Sequence, residues 1–339
     1  MNAKRRNIVL ALAAVVVAFG AAMLLWRQPA GITSPPKKVL LGVDFSDAFS
    51  SPVLVAENRG YFRDEGLDVK IVEYPSGRTA LADMVSKKNL DVVTVAQTPV
   101  MYNSFDSGSY AIIAGMASSY EAGCVLLARK DRGISTVADL KGRKIGTPVG
   151  STGHFFLNLF LTYNGMQIQD VQLVDIDATH LPQALAEGRV SAIAIWQPQA
   201  YNARKLLGEK AVILPSRDIY RVDFYLVADK AFLGENTEAL KGLVRAVARA
   251  EDFITKNREG SIDIVSGRMK MDRGIVAAIW DQYQFRVFLD QAILTDLEAE
   301  GRWAIKNRHT KATALPDYRN IIYPGILESV KPGAVNIIR

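Results

Sequence analysis

The chain has 339 residues, 49% hydrophobic and 22% charged, a globular composition long enough for two domains and unlike a disordered or fibrous chain. Lys and Arg number 41 against 35 Asp and Glu. Four of those cations precede residue 37, where no acidic residue occurs, so 41 less four leaves 37 basic against 35 acidic residues in the remainder, weak ground for nucleic-acid binding. A lone Cys124 excludes an intramolecular disulfide, a cysteine-based zinc site, an iron–sulfur cluster and a lipidated N-terminal cysteine.

In chain order, Lys4-Arg5-Arg6 precede 19 uncharged, mostly apolar residues, Ile8 to Trp26, and then Arg27. A helix over 8–26 would be roughly 28 Å long, enough to cross the hydrocarbon core. Two readings stand: a signal with its apolar region at 8–17, cut near Ala18-Phe-Gly-Ala21, or an uncleaved anchor with Trp26 at the interface. In both the basic end stays cytoplasmic and the body is exported. Residues 32–38, with Pro35-Pro36, read as a linker.

From Lys38 strand-like and helix-like segments alternate, the pattern of an α/β fold. Residues 39–43 predict a buried strand ending in a polar loop at 44–51. Residues 52–61 predict a helix, 67–74 a strand, 79–88 a helix, and 91–95 a strand emptying into Ala96-Gln-Thr-Pro99. The order then recurs: Lys144-Ile145, a loop at 146–152, a helix at 153–163, Gly165 as a C-cap, a strand at 171–176, a helix at 181–187, and a strand at 191–195 emptying into Trp196-Gln-Pro198. Val39 to Val69 spans 30 residues and Ile145 to Leu173 spans 28, so the halves match in spacing as well as order. A further strand is expected at 223–228, followed by helices at 237–256, 275–288 and 295–307. The expected organisation is an N-terminal segment at 1–36, one lobe from 37–122 and 223–339, and a second lobe at 123–222. Each lobe is expected to be a mostly parallel sheet flanked by helices, with a ligand cleft between the lobes.

Gly150-Ser-Thr-Gly-His154 precedes a helix whose first amides lack intrahelical partners and whose dipole is positive there. With Ser151 and Thr152 adding hydroxyls, it can seat an anion, or it can be an ordinary N-cap; His154 can cap or pack. Trp196 can wall a small ligand or pack internally. Gln97 and Thr98 occupy the equivalent exit of the first half, and Phe45, Ser46 and Asp47 follow its first strand. Glu121 and Asp223 stand at the two crossings between lobes, as ligand carboxylates or as hinge residues, with Arg217 and Arg221 near the second. Cys124 opens an apolar run and reads as a small buried hydrophobe. His154, His180 and His309 have no metal-ligand spacing. The basic stretch at 302–311 reads as a solvated face.

Several of these segments together resemble one family. Ala56-Glu-Asn-Arg-Gly-Tyr-Phe-Arg-Asp-Glu-Gly-Leu-Asp-Val69, Gly146-Thr-Pro with Gly150-Ser-Thr-Gly-His154, Ile195-Trp-Gln-Pro198, Val137-Ala-Asp-Leu-Lys-Gly-Arg-Lys-Ile-Gly146 and Glu328-Ser-Val-Lys-Pro-Gly333 are similar, in the same order, to solute-binding proteins of ABC importers for sulfonates, taurine and nitrate. The resemblance covers about 38–335. It implies a type II-like periplasmic-binding-protein fold and a monomer with neither cofactor nor catalysis. It also implies extracytoplasmic capture of a small anion or zwitterion by lobe closure, with delivery to a permease and its ATPase. Among the subgroups, taurine-binding proteins look most similar, with Glu121 and Asp223 matching their acidic positions. A membrane-tethered sensory module is the alternative. An enzyme resembling the fungal thiamine-pyrimidine synthases is less supported, because their Cys-rich metal motif is absent here.

Overall fold

The computed structural model describes residues 35–120, 123–216 and 219–338. The export or anchor segment expected at 8–26, together with Glu121 and Arg217, lies outside the described residues. No helix among the described residues is long and apolar enough to cross a membrane.

Strand β1 (Lys37–Asp44) leads through a 3-10 turn to the helix Ser51–Asn58, β2 (Leu67–Tyr74), the helix Gly77–Lys87, β3 (Val92–Ala96), the helix Gln97–Ser104 and β4 (Tyr110–Ser119). After the first crossing come β5 (Val125–Arg129), β6 (Lys144–Thr147), the helix Thr152–Tyr163, β7 (Gln172–Asp175), the helix Leu181–Glu187, β8 (Ala192–Ile195), the helix Gln199–Leu207 and β9 (Ala211–Leu214). The chain returns through β10 (Val222–Asp229) to the helices Thr237–Lys256, Arg258–Met269 and Arg273–Ile279, then β11 (Gln284–Phe288) and the helix Ala292–Lys306.

Two mixed sheets result, ordered β2-β1-β3-β10-β4-β11 and β7-β6-β8-β5-β9. Parallel ladders pair the cores β2-β1-β3 and β7-β6-β8, whose strands follow one another through helical crossovers; β10 and β5 run antiparallel beside them. The residue pairs that mark the internal repeat lie opposite each other, Val39 against Val69 and Ile145 against Leu173. Covered on both faces, β3 and β4 are buried along their whole length and read as continuous apolar runs. This is the two-lobe α/β architecture that the alternation implied, and the chain from Lys37 onward forms one unit.

Three local expectations fail for non-local reasons. The helix expected at 275–288 ends at Ile279, and 284–288 is strand β11. It pairs with the edge of β4, where a Cβ on Gly115 would lie 2.5 Å from the Phe288 ring; glycine makes the room that the pairing needs. The polar exit at 96–99 is instead the start of the helix Gln97–Ser104. The helix expected at 52–61 breaks at Gly60, whose φ of +72° is a left-handed conformation, and a separate turn of helix follows at Tyr61–Asp64.

Candidate functional site

The C-terminal ends of the parallel strands of both sheets face one cavity of about 290 Å³. The first lobe supplies the turn after β1 and the turn after β2. The second supplies the loops after β6, β7 and β8.

In the first lobe the turn after β1 is shaped by its own carboxylates. Asp44 donates its N–H to Thr94 Oγ1 at 2.8 Å, and its carboxylate accepts from Ser46 N at 2.7 Å and Gly77 N at 2.6 Å. Gly77 approaches so closely that a Cβ there would lie 2.7 Å from both Thr94 O and Val95 Cα. Asp47 caps the next turn through Oδ1 and Phe49 N, 2.7 Å apart; its Oδ2 has no protein donor among the described residues. Both side chains are buried. Burial raises the Asp44 carboxyl, and burial together with the Asp44 charge pushes Asp47 well above the ordinary carboxylate range. The apolar floor is Phe49, stacked on Phe224 with centroids 5.0 Å apart. Arg78, exposed at the rim on the second residue of its helix, makes no ion pair among the described residues.

In the second lobe the anion seat has a different construction from a capped helix. Ser151 turns its hydroxyl back to Pro148 O at 2.6 Å and caps no amide. The N–H groups of Thr152 and Gly153 and the Thr152 hydroxyl therefore have no protein partner among the described residues. Gly153 is required by space: a Cβ there would lie 2.7 Å from Thr147 Oγ1 and 2.9 Å from Ala194 O. Trp196 walls the cavity, and its indole N–H likewise has no acceptor among the described residues. Asp177 stands exposed at the rim.

Of the residues predicted for the site, Ser46, Asp47, Ser151, Thr152 and Trp196 line this cavity, and Phe45 lines an adjoining one. Four do not. Gln97 is buried and bridges to β10, donating to Arg221 O at 2.8 Å and accepting from Asp223 N. Thr98 shares a hydrogen bond with Tyr220 OH at 3.2 Å. His154 is buried, accepts from Gly150 N at 3.3 Å and packs edge-on against Trp303; burial and the neighbouring His309 hold its pKa down to about 4, so it is neutral. Asp223 is fully buried and takes a 2.6 Å bond from Arg221, which also reaches Asp290 at 3.2 Å; burial outweighs that pull and leaves its carboxyl raised to about 7. Gln97, Thr98 and Asp223 are held there because β10 is inserted between β3 and β4 and covers their side chains, while His154 is packed against Trp303 and His309. Asp44, Arg78 and Asp177 were missed. The Ser76-Gly77-Arg78-Thr79 turn carried the same strand-to-helix signal as 150–154. Cys124 is buried, and burial pushes its thiol up. Among the described residues no group of three His, Cys, Asp or Glu could hold a metal ion.

The pattern described as NMT1/THI5 like matches residues 48–261, more than half of the chain. The chain belongs to the NMT1/THI5-like family. Its relatives include a binding protein of Brucella abortus, 32% identical over 144 residues, 42% of this chain and 45% of the relative; the match thus spans under half of that protein's length. A Bacillus subtilis protein named for binding aliphatic sulfonates is 28% identical over 247 residues, 71% of this chain and 72% of its own. The family also has an enzyme branch: an Aspergillus parasiticus 4-amino-5-hydroxymethyl-2-methylpyrimidine phosphate synthase is 26% identical over 220 residues, 61% of this chain and 63% of that one. Among solved structures, the alkanesulfonate-binding protein of Xanthomonas axonopodis pv. citri bound to MOPS shares the fold with a TM-score of 0.73 at 18% identity, covering 86% of this chain and all of that one.

Proposed function

We propose that this chain is an extracytoplasmic solute-binding protein that captures a small zwitterion, an acid group and an amine about two carbons apart, and delivers it to an ABC permease and its ATPase. One observation carries the reading: the cavity has a donor end and an acceptor end on opposite lobes. The unpaired amides and hydroxyl of Thr152 and Gly153 suit a sulfonate or carboxylate, and Arg78 adds a positive charge at the rim from the first lobe. Across the cavity Asp47 Oδ2 suits an ammonium, whose charge would relieve the burial cost of that carboxylate. A ligand touching both ends draws the lobes together, the closure by which such proteins sequester solute. The names of the sulfonate-binding relatives support the acid end of this ligand class.

The synthase branch is disfavoured by the donor chemistry. The chain has one cysteine, so it lacks a Cys-rich metal motif, and that residue, Cys124, is buried, which raises its thiol pKa.

Calorimetry with taurine and ethanesulfonate tests the proposal. Losing a charge-assisted partner costs about 1.5–3 kcal/mol, roughly ten- to hundredfold in affinity. Thr152→Ala should weaken both ligands. Asp47→Asn should weaken taurine by that factor and leave ethanesulfonate unchanged or tighter. Equal losses for both ligands in Asp47→Asn would reduce the ligand class to simple anions, and recovery of a chemically altered ligand would make the protein an enzyme.

A further inference from the structure

The cleft continues past Trp196. A second chamber of about 340 Å³ shares Ser46, Pro75, Ala178, Thr179 and Trp196 with the central cavity, so the two adjoin along a common wall. Beyond that wall its surface is mainly apolar: Phe45, Met271 and Ile275 from the first lobe, Pro198 from the second.

These walls are held in place. Phe45 donates its N–H to Tyr74 O at 2.9 Å, and its ring lies 5.0 Å from the guanidinium of Arg268, itself paired with Glu57 at 2.8 Å and Glu73 at 2.5 Å. Met271 N donates to Ser266 O at 3.0 Å, and Asp272, the one ionisable residue lining the chamber among the described residues, is exposed at its edge and caps Ile275 N through Oδ1 at 3.1 Å. Pro198 O accepts from Asn202 N at 2.9 Å as the next helix begins. The chamber is thus braced by backbone hydrogen bonds on several sides, and its one charge is the exposed carboxylate at its edge. The central cavity alone sits at the lower edge of the ~300–1,000 Å³ range of small-molecule sites.

We infer that the natural ligand is larger than taurine: a zwitterionic head joined to a ring-sized apolar group, the head in the central cavity and the ring in this chamber against Phe45, Trp196 and Met271. Aromatic faces and a thioether are the surfaces that a flat apolar ring packs on best. The inference rests on the zwitterion reading of the central cavity, and the test separates the two.

The probes are taurine and 2-amino-2-phenylethane-1-sulfonate, which share one head. Burying a phenyl group should tighten binding about ten- to hundredfold over taurine. Met271→Glu, which sets a charge among the apolar walls, should erase that advantage and leave taurine binding as it was. Ile275→Ala, a milder change that preserves folding, should reduce the advantage several-fold. Equal affinity of the two probes for the unaltered protein, or an advantage that survives both substitutions, would overturn the inference while leaving the zwitterion reading intact. If neither probe binds, both fall.

Discussion

The two lobes share a plan and differ in what their loops offer. Each has a three-stranded parallel core with an antiparallel crossing strand beside it, β2-β1-β3-β10 in one and β7-β6-β8-β5 in the other. At the end of β1, Asp44 and Asp47 consume the nearby backbone amides as hydrogen-bond donors and leave carboxylate facing the cavity. At the end of β6, Ser151 bonds to a carbonyl instead, leaving amides and a hydroxyl unpaired. One topology thus presents an acceptor from one side and donors from the other. The exits of β3 and β8 differ in the same way. Gln97 is locked between β3 and β10, whereas Gln197 caps its own helix through Tyr201 N at 3.0 Å. The sheet decides where a residue stands, and the neighbours of its loop decide what it can do.

The largest effect should come from the join between the lobes. Glu300, fully buried, accepts from Tyr220 OH at 2.6 Å, and the Tyr220 ring packs edge-on against Phe155 of the second lobe at 5.2 Å. Burial raises the Glu300 carboxyl to about 8. A raised acid keeps its proton in the folded state after the unfolded chain has lost it. Its contribution is therefore full below the ordinary value of 4.5 and is lost as pH rises toward 8. The unfolding free energy from denaturant titrations should fall between pH 5 and 8 by up to about 1.4 kcal/mol per pH unit for this group. Glu300→Gln should flatten the slope, leaving the share of Asp223, Asp44 and Asp47, whose raised values act in the same direction. Stability that rises with pH across this window, or a slope unchanged in the variant, would show that Glu300 does not bind the proton.

A paired substitution sharpens the contrast between the lobes. Gly77→Ala meets backbone atoms at 2.7 Å in the first lobe and should cost about 1–3 kcal/mol of stability. Gly153→Ala in the second meets one side-chain atom, Thr147 Oγ1 at 2.7 Å, and one backbone atom, Ala194 O at 2.9 Å, where Gly77→Ala meets two backbone atoms at 2.7 Å. It should cost less stability but displace the unpaired amides, weakening anionic ligands roughly tenfold or more. Thermal melts and calorimetry on both variants check the division; the reverse ordering would break it.

The smallest effect belongs to Arg78, whose exposure leaves its charge screened. Arg78→Gln should weaken an anionic ligand by less than about 1 kcal/mol, and the difference should shrink as salt is raised. A loss that persists in high salt would mean that Arg78 is drawn into a desolvated contact.

The residues alone determined the repeat and the cleft. Parallel pairing of β1 with β2 and of β6 with β7 is set by one local connection each, so spacings of 30 and 28 residues are register statements legible in the chain. The strand-to-helix turn at 150–154 and Trp196 are legible for the same reason. Only the tertiary structure decided which polar groups reach the ligand. Strand β10, more than a hundred residues from β3 in sequence, pairs between β3 and β4 and buries Gln97, Thr98 and Asp223. The close approach of Gly77 turns Asp44 into a brace, and β11 takes its strand form from the edge of β4. Each of these outcomes follows from a contact between distant segments, and no local pattern of side chains encodes which distant neighbour will arrive.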